Sequence, residues 1–140
     1  MKKLSVRQMT PEIEAILVQK LRETANSLQG DVTMSRPLRE LHFVLSELQY
    51  KQAATWQRLL IYTLVAFIED FFFNLTGDIP FKKETRETHD SVMLAIGNGL
   101  DKLSRDVETS DATGAYANLE QMICHYLDSM DELNKKLPVH

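Results

Sequence analysis

The stretch LLIYTLVAFIEDFFFNL, Leu59 to Leu75, constrains this chain most, because so apolar a run has to be hidden in a membrane, in a core or under a partner. A membrane-spanning helix needs about 20 apolar residues without charge, and Glu69 and Asp70 cut this run. The expectation is therefore no membrane span and a helix of a folded domain. On a wheel of about 100° per residue, Leu60, Phe67, Ile68, Phe71 and Leu75 fall within about 60° of Leu64 and form a core stripe. Leu59, Tyr62, Ala66 and Phe73 fall on the opposite side as a second apolar face, leaving Thr63, Asp70 and Asn74 as a narrow wetted strip. A bundle of about four helices has no central position for a helix apolar on both sides. The second face is expected to be an interface of a homo-oligomer, a dimer in the simplest case. The alternative is a bundle of five segments that buries both faces within one chain.

The rest of the sequence has helical spacing too. TPEIEAILVQKLRETANSLQG carries Thr10 as N-cap, Pro11 at the first helical position, Glu12 and Glu14 in the first turn and Gly30 at the end. Ile13, Leu17, Leu21, Thr24 and Leu28 make its stripe. Ser35 and Pro37 open a second pattern over 35–76, in which Leu38, Leu41, Leu45, Leu48, Gln52 and Trp56 lead into the stripe of Leu60. This is either one helix of ~60 Å or two, divided in QYKQAAT at 49–55. Asp78, Ile79 and Pro80 make a turn, and a helix from about Thr85 follows, with Thr88, Val92, Ile96, Leu100, Leu103 and Val107 on one side. Gly97 and Gly99 inside it cost about 1 kcal/mol each against alanine. They mark a close backbone approach or a break, and the spacing of Ala95 and Gly99 favours approach. After ETSDATG, Leu119, Ile123, Tyr126, Met130, Leu133 and Leu137 are spaced 4, 3, 4, 3, 4, a seam for shallow-angle packing. No alternation of period two occurs, so the fold class is all-α. The expected architecture is an antiparallel four- to five-helix bundle with one long or kinked central helix, a single domain over 1–140 with loose ends at 1–9 and 138–140.

Charge and composition narrow the function. A net charge of −4 with basic residues scattered argues against nucleic acid, whose binding draws on clustered Lys and Arg. Met1 to Leu4 is not followed by an apolar segment of signal-peptide length, and a single cysteine, Cys124, forms no internal disulfide. A cytoplasmic location is the expectation. Cys124 reads as a small, half-buried hydrophobe.

Catalytic and metal constellations are mostly incomplete. A di-iron bundle needs Glu three residues before His, and Arg39, Arg86 and Met122 stand there before His42, His89 and His125. No His pair has the i, i+4 spacing of zinc helices; His125 with Asp128 is a weaker pair. Cys124 and His125 are neighbours about 100° apart on a helix and do not face each other. No cofactor and no metal are expected. Glu69, beside the second apolar face, reads either as a buried carboxylate or as a rim residue paired with a cation. Arg36, Arg39 and His42 share a helix start, Arg39 and His42 one turn apart. Their segment RPLRELH resembles the Arg-x(4–6)-His signature of HEPN-type helical ribonucleases. The likeness covers seven residues, without the Asn that commonly follows the Arg, and falls early in the chain where that family has it late. It implies a dimeric ribonuclease with Arg36, Arg39 and His42 as its catalytic groups. The main expectation is a non-enzymatic helical protein that self-associates through Leu59, Tyr62, Ala66 and Phe73 and binds a protein partner as a regulator, adaptor or secretion-type chaperone. The ribonuclease, or a bundle that binds a small ligand at Glu69 and a nearby histidine, is the alternative.

Overall fold

The computed structural model describes residues 9–50, 55–75 and 83–136, which hold five α-helices and no strand. They are α1 (Pro11–Gly30), α2 (Arg36–Gln49), α3 (Trp56–Leu75), α4 (Lys83–Glu108) and α5 (Ala112–Lys136). α1 opens on Pro11, whose missing N–H is no loss in a first turn, with Glu12 and Glu14 at the positive helix end. Thr10 stands at the N-cap in extended backbone, yet makes no side-chain capping bond among the described residues. Gly30 is the last helical residue, and the chain turns extended at Asp31. The Asp31 carboxylate there accepts the Thr33 N–H at 2.9 Å and the Thr33 hydroxyl at 2.6 Å, a local Asx turn.

The continuous pattern over 35–76 is two helices, which corrects the long central helix: α2 ends at Gln49 and α3 begins at Trp56. Residues 51–54, with Gln52, lie outside the described residues. The hydroxyl of buried Thr55 accepts the N–H of Arg58 at 3.2 Å and caps α3. α2 then lies against α3, with Arg39 over Phe72 and His42 beside Glu69. A single rod of ~60 Å would carry half of its stripe beyond the reach of the other helices. Reversing the chain brings both halves to the same core.

The expected stripes are the buried ones. Leu17, Leu21, Thr24 and Leu28 of α1, Leu38, Leu41, Leu45 and Leu48 of α2, and Val92, Ile96, Leu100, Leu103 and Val107 of α4 are all buried. α4 starts at Lys83 and runs unbroken through both glycines, which are sites of close approach. A Cβ on Gly97 would lie 3.1 Å from Leu28 Cβ of α1, and one on Gly99 would overlap the Met122 thioether of α5. On α5 Leu119, Tyr126 and Leu133 are buried, with Ile123 and Met130 packed at the edge; Leu137 lies outside the described residues. Cys124 is exposed, correcting the half-buried expectation, because it stands roughly 160° around α5 from the Leu119–Tyr126 stripe.

α1 packs most extensively on α4, α4 on α5, and α2 on α1 and α3, while α3 also touches α5 and, lightly, α4. Residue pairs run in opposite order along α1 and α4 (Arg22 with Glu108, Leu28 with Gly97) and along α4 and α5 (Asp106 with Asn118, Ser91 with His125). Along α3 and α5 they run in the same order, Trp56 with Tyr116 and Asp70 with Tyr126. The buried apolar side chains of all five helices join one cluster, which includes Met9. Met9 is therefore no part of a loose start; residues 1–8, 76–82 and 137–140 lie outside the described residues.

Candidate interaction surface

α3 has two apolar faces. Leu60, Leu64, Phe67, Ile68, Phe71 and Leu75 are all buried. On the other side Leu59 is 42% exposed, Tyr62 66% and Phe73 86%, with Ala66 exposed between them. The five helices do not hide both faces, because the two neighbours of α3 take its flanks. α2 covers the side of Phe72 and Glu69, and α5 the side of Asp70 and Asn74. Nothing among the described residues lies over the outer side.

The wetted strip is less idle than its composition suggests. Buried Tyr126 of α5 donates its hydroxyl to Asp70 Oδ2 at 2.8 Å and accepts Asn74 Nδ2 at 2.8 Å. Its ring stands edge-on to Phe67 and Phe71, with centroids at 5.5 and 6.2 Å. Burial, and then the Asp70 carboxylate, push the Tyr126 phenol up to about 12. The phenol thus stays neutral and lets α3 meet α5 through two polar residues without stranding a buried hydroxyl.

Glu69 is not buried: its side chain is 62% exposed, and its partner is His42, Nε2 to Oε1 3.0 Å. The sequence placed it beside the second face, and there it lies; the buried-carboxylate reading fails because α2 approaches with a polar flank. Of the three residues with the ribonuclease-like spacing, Arg39 lays its guanidinium 5.6 Å from the Phe72 ring centroid and His42 bonds Glu69, whereas Arg36 turns along its own helix to Glu40 at 3.0 Å. Arg39, His42, Glu69, Phe72 and Phe73 line an open depression of about 540 Å³. A second, of about 430 Å³, runs from Arg39 past Phe43 to Arg36 and Lys20. Arg39 borders both, so Phe73 of α3 and Phe43 of α2 stand on either side of one guanidinium, the second depression being rimmed mostly by charged side chains.

Two aromatic residues, Phe43 on α2 and Tyr50 at its C-cap, escaped the sequence reading. Phe43 is 67% exposed and Tyr50 78%. They stand seven residues apart, the spacing that returns a helix to one face, and away from the Leu38–Leu48 stripe. That wheel position was a usable signal, overshadowed by the stronger run of α3. On α5 His125 meets Ser91 of α4 at 3.2 Å, and His125 and Asp128 line one open depression. Among the described residues no three His, Cys, Asp or Glu side chains gather as a metal site, and no helix is long and apolar enough to cross a membrane. Comparison with protein-family models, with curated proteins and with solved structures finds no match.

Proposed function

We propose that this chain is a self-associating interaction protein of the cytoplasm, a single-domain helical bundle that presents the outer side of α2 and α3 to another protein, first to its own copy. The observation that carries the reading is the row of Leu59, Tyr62, Ala66 and Phe73, left uncovered by every described helix. Contiguous exposed apolar surface of this kind marks interfaces. Arg39 and the phenylalanines around it are also of the types enriched at interfaces. The opposite order of paired residues between sequence neighbours supports an antiparallel bundle. As a regulator, adaptor or chaperone, the chain would work by display rather than by chemistry. Light scattering tests the core of this: wild type is expected as a dimer at tens of micromolar and Phe73→Glu as a monomer with unchanged helix content. A monomeric wild type would refute it.

A second reading rests on one specific pair. His42 and Glu69, with Arg39 beside them over an open depression, could act on RNA or hold a small anion. Incubation with mixed RNA beside His42→Ala decides the first part. Equal cleavage by both proteins, or none, ends the ribonuclease version.

A further inference from the structure

We propose that the occupant of the α3 face is a second copy of this chain, placed by a two-fold axis so that the two α3 helices run antiparallel and cross at Ala66. This rests on the self-association reading above and adds its geometry.

The face is self-complementary about one residue. Leu59 lies seven residues before Ala66 and Phe73 seven after; Tyr62 lies four before and Asp70 four after. A two-fold axis at Ala66 therefore sets Leu59 against the partner's Phe73, the smaller side chain against the larger, and Tyr62 against the partner's Asp70. The residue on the axis is the smallest of the row, which lets the helices approach to the ~8 Å end of the usual interaxial range. An isologous contact of this kind closes on itself and leaves no apolar half unpaired.

Charge selects the direction. Glu69 and Asp70 sit on or beside the row, both exposed. A parallel pair of α3 helices would bring each against its own copy, and like charges so placed repel. In the antiparallel pair the two copies of Glu69 stand six residues apart along the axis and those of Asp70 eight, about 9 and 12 Å at 1.5 Å per residue. Glu69 then faces the partner's Thr63.

The area suffices. Tyr62, Phe73, Phe43 and Tyr50 are each mostly exposed, and at 150–250 Å² per aromatic side chain they offer roughly 600 Å² before Leu59 and Ala66 are added. A stable interface takes about 800 Å² from each partner. α3 alone falls short, so the contact takes in Phe43 of α2 and Tyr50 at its C-cap.

Two variants written for this register test it. Leu59→Lys and Phe73→Glu each put a charge on an outward position, so both are expected to fold, with wild-type helix content by circular dichroism. Each alone is expected to weaken self-association by at least about thirtyfold, as loss of a hot spot does. Mixed, they are expected to form a one-to-one heterodimer, because the introduced lysine of one copy meets the introduced glutamate of the other while the second Leu59–Phe73 contact is intact. Independently, Ala66→Cys on a Cys124→Ser background is expected to form a disulfide-linked dimer under mild oxidation. A wild-type dimer without heterodimer rescue and without the Ala66→Cys link would overturn this geometry and leave self-association standing. A wild-type monomer would remove both.

Discussion

Ser110 is the one non-glycine residue with positive φ among those described, at 56°. It stands where α4 turns into α5, with its N–H bonded to Val107 O at 3.1 Å and the Asp111 N–H to Asp106 O at 2.7 Å. That pair of bonds is a Schellman ending, and the left-handed residue in it is usually glycine. Ser110→Gly is expected to raise stability by about 1 kcal/mol, since the left-handed penalty of a side chain exceeds the added freedom of the unfolded glycine; urea unfolding measures it. At the other end of the turn the Asp111 carboxylate accepts the Gly114 N–H at 2.9 Å and caps α5. Tyr126 makes a different residue-scale prediction. Its folded-state pKa, about 12, lies above the ordinary 10.0, so the neutral phenol is favoured by folding. The stability it contributes is whole below pH 10 and is lost as pH rises from 10 through about 12. Tyr116, raised by burial, adds in the same direction. Tyr126→Phe is expected to cost about 1 kcal/mol at neutral pH for the lost hydrogen bonds. It should also flatten, without abolishing, the fall in melting temperature over that alkaline range.

Between elements, the two glycines of α4 mark its close contacts with α1 and α5. Gly97→Val is expected to destabilise by about 1–3 kcal/mol through overpacking, because Leu28 Cβ and the Ala25 carbonyl leave no room for two methyl groups. Valine is a better helix former than glycine, so a lowered melting temperature in this variant reports the clash. α1 is also tied to α4 by Arg22, which donates to both carboxylate oxygens of Glu108, at 3.3 and 3.1 Å, and to Ser104. That hydrogen-bonded pair holds the Glu108 carboxyl below its usual 4.5. Glu23, bonded to Gln19 and Lys20, and Asp31, bonded to Thr33, are depressed likewise. Groups of this sign contribute stability above their unfolded pKa and lose it as pH falls. All three are exposed, so the contribution is small: a slight fall in melting temperature below about pH 4.5 is expected, and Glu108→Gln should lessen it. The stripes behind these contacts were readable because burial along one helix repeats about every 3.6 residues. Which flank of α3 would meet α2 and which α5 was not, since both flanks are mixed in character.

At the scale of the molecule, a dimer joined through α3 makes stability depend on protein concentration. The wild-type melting temperature is expected to rise over a roughly hundredfold range of concentration and that of Phe73→Glu to stay constant; a flat wild-type series contradicts self-association. The sequence by itself determined that the chain is helical, which residues line each stripe, and that Leu59, Tyr62, Ala66 and Phe73 oppose the core stripe of α3. These follow from periodicity and side-chain volume, which act within one helix. Only the tertiary structure decided that α3 runs back along α2, that α4 passes unbroken through Gly97 and Gly99, that Asp70 and Asn74 hold Tyr126, that Glu69 stays wet beside His42, and that Phe43 stands across Arg39 from Phe73. Each depends on the azimuth and register at which distant helices meet. Those are set by the joint packing of five stripes into one core, and no single stretch of residues encodes them.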